Sequence, residues 1–314
     1  MGGTIEQERS SFLERPGKRK MFDVVCVGQA VLDCITRGKE KEPYKPNVYR
    51  AETIRLHTGG DAVNESMALS GLGFRTAVVC GVGEDIAGNI LIDELNKAGV
   101  STDRIRRVKM DTPIANLQVA EDGSRISVNS RATRLPGYRI TPDELPHAKI
   151  VSFASIFRPP LEDFNVLKDL IQTAKLRGAI VCADTKLPLR GSINISEYAG
   201  LLSFIDYLFP NEKEAAYYTG KNTFSEMAAA FRDMGIKNVV IKAGPSGCYV
   251  SGGEGEFSLP AVPVSNVVDT TGAGDNFVAG FISGVIQNAS LRDCADLGLC
   301  QAACAIKHTG GGAL

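Results

Sequence analysis

Short apolar segments alternate with helix-like segments along most of this chain, and this alternation limits the fold more than any other feature. Each apolar segment has the length of a buried strand and is separated from the next by a stretch with helical spacing of its apolar residues. Strands that alternate with helices form a mostly parallel sheet covered by helices on both faces. The sequence therefore predicts an α/β fold with strands near residues 22–27, 76–80, 150–154, 179–183, 207–209 and 239–241.

Two more polar stretches, at residues 48–57 and 114–128, alternate in the manner of half-exposed strands. Asp122-Gly123 in the second stretch is typical of a β-hairpin turn. No linker, repeat or low-complexity segment separates these stretches from their surroundings. We therefore expect ribbons at about 34–57 and 112–132 that belong to one domain over residues 21–314, preceded by a charged tail at residues 1–20.

The charge balance and hydropathy pattern exclude several classes of protein. The 35 Lys and Arg residues nearly balance the 36 Asp and Glu residues, so no overall field favours nucleic acid or an anionic membrane as a partner. No apolar run reaches the roughly 18 residues of a membrane span, and the first twenty residues lack the apolar core of a secretory signal. We expect a cytoplasmic protein whose eight scattered cysteines are reduced and buried.

Cys300, Cys304 and His308 repeat every four residues and would share one face of a helix. A rise of about 1.5 Å per residue places the first and last roughly 12 Å apart, too far for both to bind one metal ion. We expect this face to be a packing surface of small residues.

The segment Asp-Thr-Thr-Gly-Ala-Gly-Asp at residues 269–275 is the strongest local signal, and a helix is predicted after it over residues 276–287. Gly272 and Gly274 permit a tight turn and close approach of a ligand, and the N–H groups at a helix start bind anions. Asp275 suits either of two roles at this position. It is a favoured helix-capping residue, and beside a phosphate site it would also serve as a general base.

Residues 269–275 resemble the C-terminal signature of the ribokinase-like (PfkB) carbohydrate kinases. The sequence Gly-Gly-Asp-Ala-Val-Asn at residues 59–64 resembles a second signature of that family. Residues 81–88 resemble its strand-to-helix segment, and residues 210–214 resemble its Asn-x-x-Glu motif. The likeness covers residues 22 to 312 and implies a three-layer α/β/α sandwich with a small β-sheet lid formed by the ribbons.

The resemblance also implies an ATP-dependent phosphotransferase that uses Mg²⁺. Asp275 would take the proton from a sugar hydroxyl, while the N–H groups of Gly272, Ala273 and Gly274 stabilise the transferred phosphoryl group. Many members carry Thr where this chain has Lys242, and this lysine would either contact a phosphate or simply reach solvent. The implied sugar-binding residues are Asp33, Gly59, Gly60, Asp61 and Asn64; those for the nucleotide are Asn211, Lys242, Gly244, Gly247, Thr271 and Gly274; those for Mg²⁺, through water, are Asn211 and Glu214.

Two further expectations come from the resemblance. Some relatives bind a monovalent cation near the equivalents of Asp269 and Thr271, together with backbone carbonyls from the segment near Ala305 to Gly310, which adds K⁺ to the cofactors considered. In many members the lid also forms the contact of a homodimer, and its closure excludes water from the reaction.

The acceptor sugar is left open by the sequence. We expect transfer to a primary hydroxyl of a small neutral sugar of the ribose or fructose type. A sugar acid of the 2-keto-3-deoxygluconate type, a nucleoside or a sugar phosphate are alternatives, and an anionic acceptor would need cations such as Arg131, Arg134 or Arg158. A non-catalytic sugar-binding protein of the same fold is a more distant alternative. A nicotinamide-dependent dehydrogenase is disfavoured because Ile86 stands where the third glycine of its motif belongs.

Overall fold

The computed structural model describes residues 21–41, 45, 47–119, 125–130, 138–189 and 191–311. Its strands fall into one large sheet and two small ones. The strands are β1 (Phe22–Val27), β2 (Val31–Arg37), β3 (Glu40–Lys41), β4 (Tyr49–Arg50), β5 (Thr53–Gly59), β6 (Thr76–Gly83), β7 (Ile105–Val108), β8 (Ile114–Val119), β9 (Arg125–Asn129), β10 (Ala148–Ile156), β11 (Ile180–Thr185), β12 (Tyr207–Leu208), β13 (Asn238–Lys242), β14 (Cys248–Gly252) and β15 (Gly255–Leu259).

The helices connect most of these strands as crossovers. They are α1 (Asp61–Gly71), α2 (Ile86–Lys97), α3 (Phe164–Leu176), α4 (Ala199–Leu202), α5 (Glu212–Thr219), α6 (Phe224–Asp233), α7 (Ala273–Ile286) and α8 (Leu291–Ala305).

The large sheet has nine strands in the order β15-β14-β13-β12-β11-β10-β1-β6-β7. Pairing is parallel from β7 to β13, whereas β13–β14 and β14–β15 pair antiparallel. The described residues thus form an α/β/α sandwich with a mostly parallel sheet, which confirms the predicted fold class.

Successive side chains along each strand point to opposite faces of the sheet, and they pack into two hydrophobic cores, one on each face. In β1, Val25 and Val27 pack with α3, α5 and α6, whereas Val24 and Cys26 pack with α1, α2, α7 and α8. Helix α7 is apolar nearly all round and is buried along most of its length, as a helix inside the core must be. Its first turn is consequently held in a fixed position at the edge of the sheet.

A separate sheet of four strands, in the order β5-β2-β8-β9, lies apart from the large sheet. Strand β2 pairs antiparallel with β5 and parallel with β8, and β8 pairs antiparallel with β9. These strands match the two predicted ribbons. The predicted turn at Asp122-Gly123 lies outside the described residues, as does the tail at residues 1–20.

Several local predictions were wrong in their bounds or in their burial. The stretch at 48–57 contains two strands, β4 and β5, where the sequence predicts one. Helix α7 begins at Ala273 rather than at residue 276, because Gly272 turns the chain into the helix. Cys300 and Cys304 are exposed on α8, so the predicted packing face is wrong. Cys26, Cys80, Cys182, Cys248 and Cys294 are buried free thiols, as expected.

No helix within the described segments is long and apolar enough to cross a lipid bilayer.

Candidate active site

The predicted site residues meet at the carboxyl ends of the parallel strands, beside the first turns of α1 and α7. This edge is where open α/β sheets bind ligands. At α7, Gly272 is the residue before the helix and has a φ of 72°. A Cβ there would collide with the backbone of Gly311, so only glycine fits both the backbone conformation and the space. The first N–H groups of a helix have no acceptor within the helix, and in α7 the N–H of Ala273 makes a 3.3 Å bond to Thr270 O.

Asp275 lies in the first turn of α7 and is 5% exposed. It does not cap the helix. Instead, Asn64 Nδ2 donates a 2.7 Å hydrogen bond to Asp275 Oδ2, joining α1 to α7. Burial, and then the negative charge of Asp61, raise the pKa of Asp275 to about 6, against the opposing effect of Lys186 and Lys242.

Helix α1 begins at Asp61, directly after Gly60, whose φ of 90° brings it against the carbonyl of Gln29. The Asp61 carboxylate accepts a hydrogen bond from Ser155 Oγ and lies 3.4 Å from Lys186 Nζ. The charge of Asp61 is the main cause that raises the pKa of Lys186. The first turn of α1 thus carries a carboxylate that is paired with a charged lysine from the segment after β11.

Two predicted sugar-binding groups lie next to this turn. Asp33 is buried in β2 at 7% exposure, and its carboxylate packs against Gly59, where a side chain would have no room. Asn64 is 3% exposed, and its Oδ1 has no hydrogen-bond partner among the described residues. A buried acceptor without a partner costs free energy unless a ligand supplies the donor. A sugar hydroxyl is such a donor.

Lys242, at the end of β13, reaches the start of α7. Its Nζ makes an ion pair with Asp184, whose Oδ1 also accepts a 2.7 Å bond from the N–H of Thr185. A Cβ placed on Gly274 would lie only 3.5 Å from Lys242 Nζ, so this ammonium lies beside the first turn of α7. Burial acts to lower the pKa of Lys242, but Asp184 and Glu214 outweigh it and raise the pKa.

Asn211 and Glu214 form a capping box at the start of α5. Asn211 Oδ1 accepts from the N–H of Glu214, and Glu214 Oε2 accepts from the N–H of Asn211, both at 3.0 Å. Thr185 Oγ1 also donates to Glu214 Oε2 at 3.0 Å. Within the described part of the chain these bonds use Oε2 and leave Oε1 for a further ligand. Amide and carboxylate oxygens fit a Mg²⁺ ion held through water.

The predicted nucleotide loop follows Lys242. Gly244 and Gly247 both have positive φ, and Ala243 N donates to Gly247 O at 2.8 Å to close the turn. Lys242 N donates to Pro210 O at 2.9 Å, so this loop lies beside the start of α5.

Asp269 and Thr271, predicted at a monovalent-cation site, are in contact. Asp269 Oδ1 accepts from the N–H and the Oγ1 of Thr271, at 2.9 and 2.8 Å. Asp269 Oδ2 accepts from the N–H of Gly310 at 3.1 Å and lies 3.7 Å from a guanidinium nitrogen of Arg37.

Sequence reasoning missed Ser155, Asp184, Thr185 and Lys186. Polar residues that directly follow the predicted strand at 179–183 were the available signal, because such positions face the ligand edge of the sheet. Arg158 is half-buried and donates from Nε to Leu187 O. The predicted anion ligands Arg131 and Arg134 lie outside the described residues.

Polar groups gathered at the carboxyl ends of the parallel strands, beside the start of a buried helix, are typical of a ligand-binding site in an α/β fold. The sequence model of the pfkB family of carbohydrate kinases matches residues 21–314. The chain therefore belongs to the pfkB carbohydrate kinase family.

Individual relatives agree on this class but differ in their acceptors. The ATP-dependent 6-phosphofructokinase of Thermoanaerobacterium thermosaccharolyticum is 29% identical over 302 residues, 93% of this chain and 90% of the relative. The 2-dehydro-3-deoxygluconokinase of Bacillus subtilis is 28% identical over 85% of this chain and 87% of the relative. Among solved structures, Arabidopsis thaliana ribokinase complexed with ribose and ATP superposes with a TM-score of 0.78, covering 92% of this chain and 94% of that one, at 24% identity.

Proposed function

We propose that the protein transfers the γ-phosphoryl group of ATP to a primary hydroxyl of a small neutral sugar. The observation that carries the proposal is the position of Asp275, a buried carboxylate with a raised pKa at the first turn of α7. A carboxylate with a pKa of about 6 is mostly ionised at neutral pH and still basic enough to accept a hydroxyl proton.

In this proposal, Asp275 removes the proton from the acceptor hydroxyl as the oxygen attacks the terminal phosphorus. The amides of Gly272, Ala273 and Gly274, together with Lys242, stabilise the charge on the transferred group. Thr271, Gly244 and Gly247 border the nucleotide. Bound Mg²⁺ would neutralise phosphate charge, and Asn211 and Glu214 are the residues that would hold it through water.

The acceptor would lie against Asp33, Gly60, Asp61 and Asn64. Carboxylate and amide oxygens suit a polyol, because every hydroxyl both donates and accepts. The described cations of the region are already engaged, Lys186 with Asp61 and Arg158 with Leu187 O. This pairing supports a neutral sugar over an acid.

A sugar acid is the second candidate, because Lys186 places a cation beside the acceptor. An acidic acceptor would share Lys186 with Asp61. In that case Lys186→Met would weaken binding of the acid far more than binding of a neutral sugar of the same size.

The test is ADP release with ATP and Mg²⁺ across neutral sugars, sugar acids, nucleosides and sugar phosphates. Asp275→Asn should lower turnover of the accepted substrate by about 10²–10⁴-fold while its sugar affinity, measured calorimetrically, stays within a factor of a few. Asp293→Asn, a surface acid in the first turn of α8, is the matched control. A fully active Asp275→Asn protein would show that the base has been misassigned, and sugar binding without turnover by the unaltered protein would favour the non-catalytic alternative.

We also propose that the four-stranded sheet is a lid and a dimer contact. Its two faces differ. The face that carries Asp33 and Ile35 is turned toward the site, whereas the other face exposes Ile54, Leu56, Ile126 and Val128. Exposed apolar side chains gathered on one sheet face are typical of a protein interface.

A further inference from the structure

Arg37 lies beside Asp269, where the family resemblance implies a monovalent cation. This arginine ends β2, and one of its NH2 groups donates a 2.8 Å hydrogen bond to the carbonyl of Val268. The same nitrogen lies 3.7 Å from Asp269 Oδ2. Its guanidinium therefore binds both a backbone carbonyl and a carboxylate of the segment that leads to Gly272, the residue before α7.

The surroundings of Asp269 do not fit a K⁺ ion. Such an ion is held by several oxygen atoms that replace its water shell. Here Asp269 Oδ1 already accepts two bonds from Thr271, and Oδ2 accepts the N–H of Gly310 and faces Arg37. A guanidinium at this distance would repel a second cation and compete for the same oxygens.

A fixed positive charge is needed at this point for an electrostatic reason. Asp269 binds the N–H of Thr271, and Thr271 directly precedes Gly272 at the anion-binding turn. Without a neighbouring cation, the charge of Asp269 would oppose the arrival of a phosphoryl group. An arginine remains protonated at every working pH, so its charge is permanent.

We propose that Arg37 replaces the monovalent cation and that this enzyme needs no K⁺. Arg37 is then a positioning residue: it neutralises Asp269 and holds the segment from Val268 to Thr271 against β2. The role of the turn in phosphoryl transfer is that of the proposed function, on which this inference rests.

The first experiment compares the unaltered enzyme in KCl, NaCl and tetramethylammonium chloride at equal ionic strength, about 0.1 M, so that screening is constant. Turnover should differ by less than about twofold among the three salts. Stimulation by K⁺ of about tenfold or more would overturn the proposal.

The second experiment uses Arg37→Gln, which removes the charge but keeps a polar side chain. Its turnover should fall about tenfold or more in tetramethylammonium chloride and recover largely in KCl. Arg75→Gln is the matched control, because Arg75 is exposed and directly precedes β6, at the edge of the large sheet opposite to the site. It should behave as the unaltered enzyme. An Arg37→Gln protein with full turnover in all salts, or one that K⁺ does not rescue, would contradict the replacement.

A third measurement, thermal unfolding without substrates, does not depend on the acceptor sugar. KCl in place of NaCl should raise the melting temperature of Arg37→Gln by about 2–4 °C and leave that of the unaltered protein unchanged. Specific stabilisation of the unaltered protein by K⁺ would refute the proposal even if Arg37→Gln failed to fold. If no sugar is phosphorylated, the proposed function is wrong, and the melting temperatures still show whether the protein binds K⁺.

Discussion

Single residues at the start of α7 set the charge state of the proposed base. Asp275 faces Asp61 and Asn64 from α1, Lys186 after β11 and Lys242 from β13, and Glu65 of α1 lies behind it. Burial raises the pKa of Glu65 well above its ordinary value, which favours the neutral form of this acid. The ionisation of Asp275 is therefore a balance between Asp61 and burial on one side and the two lysines on the other.

The pH dependence of kcat/KM should reveal this balance. Because a carboxylate base acts only when deprotonated, the proposed role of Asp275 predicts full activity above its pKa and a decline as pH falls through about 6. Lys186→Met removes a positive charge and leaves Asp61 unpaired, and both changes raise the pKa of Asp275, so the acid limb should move to higher pH. Lys186→Arg retains the charge and should leave the limb in place. If the acid limb of the pH profile of Lys186→Met stayed in place, Lys186 would have no influence on the pKa of the proposed base.

Lys242 should affect both stability and turnover, and a paired substitution separates the two. Lys242→Met leaves Asp184 buried without its partner and should cost about 3–5 kcal/mol in the free energy of unfolding. Adding Asp184→Asn removes the buried carboxylate that has lost its partner, and this second change should restore much of that stability. Turnover should stay about 10²-fold low in the double variant, because the cation over the phosphoryl site is still missing. Denaturant unfolding and steady-state kinetics give the two quantities, and a double variant with normal turnover would confine Lys242 to a structural role.

At the scale of elements, the turn into α7 depends on a glycine. Gly272→Ala forces a side chain into a left-handed conformation, at a cost of about 1–2 kcal/mol, and into the backbone of Gly311. We expect a lower melting temperature and a larger relative loss of turnover, because the amides that would bind the phosphoryl group are displaced. Gly253→Ala, where a Cβ meets no atom within 4 Å, should leave both quantities unchanged. Equal effects of the two substitutions would show that the turn tolerates a side chain.

The sequence predicts whether a segment forms a helix or a strand better than it predicts the residues at which that segment begins and ends. Apolar runs mark the buried strands correctly, because burial on both faces leaves a continuous apolar signal. The predicted start of α7 is three residues later than the observed one, because the pattern Gly-Ala-Gly is typical of a loop. The packing of Gly272 against Gly311, which fixes the turn before the helix, is not visible in the sequence. The motifs identified most of the residues that meet near Asp275. Polar residues after a predicted strand indicate positions at the ligand edge, but the contact of Lys186 and Ser155 with Asp61 depends on strand order, which spacing along the chain does not encode.

At the scale of the whole molecule, the four-stranded sheet leaves an apolar surface that a second copy of the chain would cover. Its rows run Leu56-Cys34-Asn116-Val128 and Ile54-Thr36-Gln118-Ile126 across the strands, with apolar residues at both edges. This is the basis for the proposed homodimer.

A charge in this surface should separate the two copies. Ile54→Asp places a carboxylate where burial against a partner would desolvate it, so the mass in solution should fall from that of a dimer to that of a 33.5 kDa monomer. Sedimentation equilibrium measures the mass directly. Leu176→Asp, at an exposed position on α3, is the control and should remain dimeric. A monomeric unaltered protein, or a dimeric Ile54→Asp protein, would exclude this surface as the contact.

The hydrogen bond between Asn64 and Asp275 joins residues 211 positions apart in the sequence. A chain leaving the ribosome completes α1 early, yet it lacks the carboxylate until α7 has also emerged. The proposed reaction centre is thus assembled only after residue 275 has emerged, and a truncated product that stops before Ala273 carries α1 without the proposed base. Incomplete chains would accordingly be unable to consume ATP by this route.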